Sequence, residues 1–264
     1  MSVPRCLTIA GSDSGGGAGI QADLKAFAHA GCHGMSAIVA LTAQNTTGVT
    51  AVHEPPPEFV TAQLEAVFSD IGVDAAKTGM LFSKAVIEAV ADFLEQNPVT
   101  LVVDPVMVAS SGAKLLQDDA VDSLVGRLFP LATVVTPNLY EAQVLAGRVR
   151  GSDPRTRPEL AAAIHELGAP AVLVTGGHGP EPVDHLFDGR DHLEIQVARH
   201  DVRATHGAGC THSATLAAML AHGHGLADAA RRAAWVASEA VRNGLTDIGA
   251  GEGPVDVFAL EGAR

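Results

Sequence analysis

The sequence predicts an α/β fold, with residues 1–264 forming one domain built as a three-layer αβα sandwich around a mostly parallel central sheet. Two observations lead to this prediction. Short β-rich runs alternate with longer helix-like segments along the chain, which is typical of consecutive βαβ units. The run at 99–103 is apolar apart from Thr100, as expected for a strand buried on both faces of a parallel sheet. No linker rich in Gly, Ser or Pro divides the chain, and residues 151–158 are interpreted as a surface loop.

The individual elements follow from local signals. Proline and Glu58 at the start of the 57–69 segment favour a helix N-terminus, and Asp188-Gly189 favours the turn of a hairpin. Strands are predicted at 5–10, 36–40, 73–77, 99–103, 133–136 and 171–175, a hairpin at 183–187 and 193–197, and helices at 20–30, 57–69, 85–96, 116–128, 139–146, 159–167, 209–221 and 226–244.

Composition excludes several classes of protein. Hydrophobic residues make up 47% and charged residues 18%, so the chain can bury a large core. The net charge of −13 argues against nucleic-acid binding, which needs a basic face. No apolar run approaches the roughly 20 residues of a membrane span, and the start leads directly into a strand without a signal-peptide pattern. The three cysteines have no C-x-x-C spacing. We therefore expect a cytoplasmic protein without a disulfide framework or zinc site.

A glycine-rich loop follows the first predicted strand, at residues 11–19. It is neither a Walker loop nor a G-x-G-x-x-G motif, because no Lys-Ser/Thr follows and position 20 is Ile20. Glycines allow the backbone to approach a ligand closely. We favour ligand approach, and the alternative is a tight strand-to-helix turn.

Polar residues follow three more strands, where ligands of open α/β sheets bind. Asp104 could contact a metal or substrate, or open a turn before proline. Asn138 and Glu141 could hold a hydrated Mg²⁺, and spacing alone favours a helix cap instead. The glycines of Thr175-Gly176-Gly177-His178 could approach a nucleotide or form a plain turn.

The segment Thr205-His206-Gly207-Ala208-Gly209-Cys210-Thr211 precedes and opens an Ala-rich helix. The N–H groups of 207–210 and the helix dipole would favour an anion, such as a transferring phosphoryl group. Cys210 in the first helical turn is expected to have a lowered thiol pKa. The alternative is a flexible glycine turn with a small buried cysteine.

Taken together, these segments resemble the hydroxymethylpyrimidine/phosphomethylpyrimidine kinases, which have a ribokinase-like fold. The stretch at 7–25, LTIAGSDSGGGAGIQADLK, resembles the opening signature of this family, and TAQNT, KTGML, DPVM and TPN follow in the expected order. The resemblance covers nearly the whole chain. It implies ATP with Mg²⁺, phosphorylation of 4-amino-5-hydroxymethyl-2-methylpyrimidine and commonly of its monophosphate for thiamine synthesis, and a homodimer.

The resemblance also implies roles for individual residues. Gln44 would hydrogen-bond the aminopyrimidine edge, and Cys210 would act as the base that accepts the hydroxymethyl proton. The remaining implied positions are Gly11, Asp23, Met80, Val106 and Met107 for the pyrimidine; Gly207, Ala208 and Gly209 for the anion hole; Asn138, Thr175, Gly177, Thr205 and Gly209 for ATP; and Asp104 and Glu141 for the metal.

Four positions depart from the family pattern. Ala208 replaces a threonine, Thr175 and Ala234 each replace a lysine, and Glu252 replaces a histidine. Each lost charge-assisted contact costs about 1.5–3 kcal/mol, so we expect weaker ATP binding or a weaker second phosphorylation. Two alternatives stay open: a pyridoxal or pyridoxine kinase of the same fold, and a non-catalytic pyrimidine-binding protein.

Overall fold

A computed structural model of the chain describes residues 2–107, 115–117, 119–148, 156–177 and 182–260. It contains one sheet of nine strands in the order β3-β2-β1-β4-β5-β6-β7-β8-β9. Strands β2, β1, β4, β5, β6 and β7 are parallel, and β3, β8 and β9 add antiparallel edges. The predicted mostly parallel α/β sheet is confirmed. The division into domains stays a prediction.

The elements in chain order are β1 (Arg5–Asp13), α1 (Gly19–His29), β2 (His33–Asn45), β3 (Gly48–His53), α2 (Pro57–Asp70), β4 (Ala75–Thr78), α3 (Lys84–Gln96), β5 (Thr100–Val103), α4 (Ala120–Ser123) continuing into a π-helical turn (Leu124–Leu128) and a 3₁₀ turn (Phe129–Leu131), β6 (Val134–Val135), α5 (Leu139–Ala146), α6 (Arg157–Glu166), β7 (Val172–Val174), β8 (Val183–Phe187), β9 (His192–Gln196), α7 (Ala208–Ala221) and α8 (Leu226–Arg242).

The sheet has a hydrophobic core on each face, as the three-layer prediction requires. One core packs α2, α3, α4, α5 and α6 against the sheet, and the other packs α1, α7 and α8 against the opposite face. Successive side chains of β1 point to opposite faces of the sheet. Leu7 and Ile9 therefore lie in the first core, and Cys6 lies in the second. Strands buried on both faces are therefore largely apolar, and Lys77 and Thr78 on β4 are exceptions.

Strand β3 and the extension of β2 were not predicted from the sequence. The two strands form an antiparallel hairpin whose turn is held by the Asn45 side chain, which accepts hydrogen bonds from the N–H groups of Thr47 and Gly48. Most of β3 is half-buried or exposed. A strand of that kind lacks the apolar run that marks the buried strands, and this is why the pattern did not indicate it.

The predicted helix at 116–128 is wrong in its first part. The N–H of Leu116 donates to the carbonyl of Met107, and that of Gln117 donates to Phe82, so neither takes part in a helical turn. Most of the predicted surface loop at 151–158, namely residues 151–155, lies outside the described residues, as does His178. Among the helices that the structure describes, none has the length and hydropathy needed to cross a bilayer.

Candidate active site

Several of the predicted site residues, together with Asp13, lie at the carboxyl ends of the parallel strands. Asp13 ends β1, Asp104 follows β5, Asn138 follows β6 and Thr175 follows β7. Helix α7 packs against β1, β4 and β5, and its Ser213 hydroxyl donates to the Asp104 carboxylate at 2.8 Å. The N-terminus of α7 therefore points at the sheet edge where open α/β sheets bind their ligands.

Two glycines allow α7 to begin against the glycine loop. Gly207, the N-cap, has φ +85°, and a Cβ there would lie 1.9 Å from the carbonyl oxygen of Gly17. The N–H of Ala208 donates to the carbonyl of Thr205. The first N–H groups of a helix have no intrahelical acceptor. Since no side chain caps α7 either, the N–H groups of Gly209 and Cys210 are available to a ligand. The predicted set of four N–H groups thus excludes at least that of Ala208.

The predicted lowering of the Cys210 thiol pKa is wrong. Burial raises this pKa to about 12, and the nearby carboxylates of Asp23 and Asp104 add to the effect. The Lys77 ammonium and the N–H of Gly19 act in the opposite direction without outweighing it. At neutral pH the side chain of Cys210 is therefore a thiol.

A buried cation lies beneath Cys210. Lys77, on β4, has no exposed surface, and its Nζ lies 2.9 and 3.0 Å from the two carboxylate oxygens of Asp23 and 3.7 Å from Asp104. Burial lowers its pKa, but attraction to the Asp23 carboxylate, the Cys210 sulfur and the Asp104 carboxylate outweighs burial and leaves the pKa raised. Lys77 is therefore charged. No role was predicted for this residue from the sequence.

Asp23 lies one layer behind the surface of the site. It is fully buried on α1, and its oxygens accept hydrogen bonds from Lys77 and from the Thr8 hydroxyl, the latter at 2.6 Å. No atom of this carboxylate faces solvent, so the structure does not place it where the predicted contact with a pyrimidine would occur. Its position fits a counter-charge for Lys77.

The proposed pyrimidine wall is partly assembled. Met80 packs with Ala40 and Leu115, with Val106 beside them. The Met80 sulfur would lie 3.3 Å from a Cβ added at Gly11. Met107 does not join this group. It lies in the core beneath the sheet, and its N–H donates to Glu141.

Gln44 and the glycine loop meet at His206. The Gln44 amide nitrogen lies 3.3 Å from Nε2 of His206, which in turn lies 3.0 Å from a carboxylate oxygen of Asp13. Asp13 also accepts hydrogen bonds from the N–H groups of Gly15, Gly17 and Ala18. Burial raises the pKa of Asp13, but these hydrogen bonds outweigh it and the pKa is lowered. Asp13 and His206 organise the loop, and neither role was predicted from the sequence.

Asn138 and Glu141 form the capping box that was the alternative interpretation. The Asn138 side chain accepts from the N–H of Glu141, and Glu141 accepts from the N–H of Asn138. Burial and the neighbouring Asp104 carboxylate raise the pKa of Glu141. Two acidic groups that disfavour each other's charge can be stabilised by a divalent cation. The described residues contain no cluster of three or more His, Cys, Asp or Glu side chains suited to a metal.

The predicted ATP-side residues lie in separate segments. Thr175 forms a β-bridge with Asn138, and Gly177 is exposed. The Thr205 hydroxyl donates to Glu252. Ala234, which departs from the family pattern, is buried in the core that α7 and α8 share. A lysine there would have to extend out of an apolar layer.

Comparison with known proteins identifies the family. The model of the phosphomethylpyrimidine kinase family matches residues 13–256. The chain belongs to this family. A hydroxymethylpyrimidine/phosphomethylpyrimidine kinase of Rhizobium meliloti is 50% identical over 255 residues, which cover 96% of each chain. The corresponding kinase of Bacillus subtilis is 44% identical over 265 residues, 99% of this chain and 97% of the relative.

Solved structures connect the phosphomethylpyrimidine kinase family to pyridoxal kinases. An ADP complex of Bacillus subtilis pyridoxal kinase matches with a TM-score of 0.87 and 36% identity, over 98% of each chain. Staphylococcus aureus pyridoxal kinase in complex with AMP-PCP and pyridoxal matches with a TM-score of 0.87 and 34% identity, over 98% of this chain and 95% of that one. A Clostridium difficile phosphomethylpyrimidine kinase gives a TM-score of 0.76 and 39% identity, over 88% and 96%.

Proposed function

We propose that the protein transfers the γ-phosphoryl group of ATP to the hydroxymethyl group of 4-amino-5-hydroxymethyl-2-methylpyrimidine, and then phosphorylates the resulting monophosphate. The observation that carries the proposal is the uncapped N-terminus of α7 with Cys210 in its first turn, facing the glycine loop, in a member of the phosphomethylpyrimidine kinase family. The product of both steps is the pyrimidine pyrophosphate of thiamine synthesis.

The pyrimidine would lie between Gln44 and the wall around Met80. The Gln44 amide can exchange its contact with His206 for the aminopyrimidine edge, because an amide offers both a donor and an acceptor. Met80 and Val106 offer an apolar surface to the ring face. The Gly11 backbone lies against Met80, so the ring can approach the end of β1.

The phosphates would be held by backbone donors and a cation. The N–H groups of Gly209 and Cys210 at the start of α7 suit the charge that spreads over the transferring phosphoryl group. Asp104 and Glu141 fit Mg²⁺, because this ion commonly takes one or two carboxylates, substrate phosphates and several waters. When bound, Mg²⁺ would neutralise phosphate charge. Asn138 and Thr175 lie beside this pair at the strand ends.

Cys210 would be the base that takes the hydroxymethyl proton. This role needs the thiolate, and the raised pKa means that the resting side chain is protonated. Lys77 is the one described group whose positive charge favours the thiolate there. The rate of phosphoryl transfer should therefore rise with pH on the alkaline side.

Pyridoxal phosphorylation is the second candidate, because pyridoxal kinases superimpose closely on this chain. Purified protein with Mg-ATP should be offered the hydroxymethylpyrimidine, its monophosphate and pyridoxal in separate reactions, and the products identified by mass spectrometry. We expect the first two to gain one phosphate each, and Cys210→Ala to serve as the control for contaminating kinases. Pyridoxal phosphate as the main product, with unchanged pyrimidines, would replace the proposal with the second candidate. A homodimer and a cytoplasmic location remain predictions.

A further inference from the structure

The loop at 175–177, after β7, is hydrogen-bonded to a buried carboxylate on β8. Asp184, on β8, is 3% exposed, and its Oδ1 accepts a hydrogen bond from the N–H of Gly176 at 2.7 Å. Its Oδ2 lies 2.9 Å from Nε2 of His212, which is itself 5% exposed on α7. One carboxylate thus joins the loop at 175–177 to the helix that carries Cys210.

The same loop is fixed on its other side as well. The N–H of Thr175 donates to the carbonyl of Pro137 at 2.9 Å. A Cβ added at Gly176 would lie 2.3 Å from the carbonyl oxygen of Val183, so the glycine lies directly against β8. The loop therefore has little freedom between β6 and β8, and Asp184 supplies the contact that connects it to α7.

The hydrogen-bond chemistry determines the state of this pair. A carboxylate accepts from two donors, and Gly176 supplies one as an N–H. Nδ1 of His212 has no hydrogen-bond partner among the described residues, so a proton on Nε2, donated to Asp184, satisfies the pair best. Residues 175–177 carry no charged side chain, and the N–H groups of Thr175 and Gly176 already donate to Pro137 and Asp184. What this segment can offer a nucleotide is therefore the N–H of Gly177 and the Thr175 hydroxyl. Hydrogen bonds from this loop to a nucleotide are strong only if the loop is held at the right distance and angle.

We propose that Asp184 and His212 are positioning residues that hold the loop at 175–177 in register with the first turn of α7, and so set the affinity for ATP. The inference rests on the proposed function only in assigning this loop to the nucleotide. Neither side chain is placed in contact with substrate. The effect of this pair should be specific to ATP, because among the described residues neither Gln44 nor the Met80 wall shares a hydrogen bond or an apolar cluster with Asp184 or His212.

The first test is Asp184→Asn, measured as the dissociation constant of a non-hydrolysable ATP analogue with Mg²⁺ by calorimetry. The asparagine carbonyl can still accept from Gly176, but its NH₂ group then faces the Nε2–H of His212. We expect about tenfold weaker binding of the analogue, equivalent to about 1.4 kcal/mol, and unchanged binding of the pyrimidine. The double variant Asp184→Asn/His212→Gln restores a donor–acceptor pair, so it should recover most of the affinity.

The matched control is His185→Gln, on the same strand. His185 is 2% exposed and bonds to His192 instead of the loop, so its substitution should leave the affinity for the analogue unchanged. If Asp184→Asn fails to fold, His212→Leu tests the same link, because it removes the α7 half alone. Equal losses of analogue and pyrimidine affinity, equal losses in the control, or no loss at all would overturn the proposal. Calorimetry needs no turnover, so a failure of the proposed pyrimidine activity would be seen separately.

Discussion

Two cysteines lie near opposite ends of helix α7, Cys210 in its first turn and Cys32 beyond its C-terminus. Their surroundings shift the two thiol pKa values in opposite directions. At the N-terminus of α7, burial and the Asp23 and Asp104 carboxylates raise the pKa of Cys210 to about 12. Beyond its C-terminus, the Cys32 sulfur accepts a hydrogen bond from the Cys6 thiol and lies 3.5 Å from Nε2 of His222. These contacts outweigh burial and lower the pKa of Cys32.

The difference shows which electrostatic effect dominates. The helix dipole alone would make the N-terminal cysteine the more acidic one. The dipole typically contributes about 0.3–1 kcal/mol near a helix end, which is less than one pKa unit at about 1.4 kcal/mol. Burial makes the largest contribution to the raised pKa of Cys210, and the Asp23 and Asp104 carboxylates add to it against the opposing charge of Lys77. Loss of hydration in the buried site therefore matters more here than the dipole. The pKa of a cysteine at a helix N-terminus is lowered only where burial and nearby carboxylates do not raise it by more.

The largest expected effect is a loss of kcat, and of the two cysteines only Cys210 should show it when substituted. Cys210→Ala should lower kcat by about 10²–10⁴-fold, the usual contribution of a general base, and Cys32→Ser should leave kcat unchanged. The wild-type rate should also rise with pH between neutral and alkaline values, because the raised pKa keeps the thiolate scarce at neutral pH. Steady-state kinetics at several pH values measure both effects. Full activity of Cys210→Ala would refute the assignment of the base.

The second prediction concerns the charges around Cys210. Lys77→Met leaves the buried carboxylates of Asp23 and Asp104 without their cation, so it should destabilise the fold by about 3–5 kcal/mol. The double variant Lys77→Met/Asp23→Asn removes one of these charges and should recover part of the loss. Urea unfolding followed by circular dichroism gives the free energies. Equal stability of the single and double variants would show that the Asp23–Lys77 pair is not the source of the effect.

The third prediction compares the reactivity of the thiols. Thiolate fraction rises as pH passes through the pKa, so Cys32 should react with iodoacetamide below the ordinary cysteine value of about 8.5. Cys210 is the more exposed of the two, yet it should stay unmodified until strongly alkaline pH. At pH 8 we expect at least about tenfold more label on Cys32, measured by peptide mass spectrometry. Preferential labelling of Cys210 would invert the comparison.

The smallest expected effect belongs to His222. Its Nε2 lies 2.9 Å from the carbonyl of Ala30 and 3.5 Å from the Cys32 sulfur. His222→Leu should therefore cost about 0.5–1.5 kcal/mol of stability for the lost hydrogen bond. It should also move the labelling of Cys32 to higher pH and leave kcat unchanged. An unchanged pH profile for Cys32 would show that Cys6 alone lowers the pKa.

Apolar periodicity predicted most of the fold, because buried strands and amphipathic helices carry it directly. The helix over Leu139–Ala146 has the predicted bounds. The failures occurred where tertiary contacts override local preference. Strand β3 pairs at an edge without an apolar run, and Leu116 and Gln117 bond to distant carbonyls instead of beginning a helix.

The sequence predicted where several site residues lie in the fold, but not the charges and pKa shifts around Cys210. Motifs placed Gln44, Asp104, Asn138 and Cys210 at the strand ends and the start of α7. No spacing rule reveals that Lys77 meets Asp23, because a lysine within a strand usually faces solvent. The available signal was a lysine directly after Ala75 and Ala76 in a predicted strand, and the structure buries all four residues of β4.

The contact between Gly17 and Gly207 also has a consequence for the order in which the protein is made. A ribosome synthesises the glycine loop early, and about 190 residues follow before the segment that closes against it. A nascent chain that ends before residue 205 contains the proposed pyrimidine wall but lacks the anion-binding turn and Cys210. Translation therefore supplies the proposed phosphoryl-transfer end late, and a chain that stops before residue 205 cannot consume ATP by this mechanism.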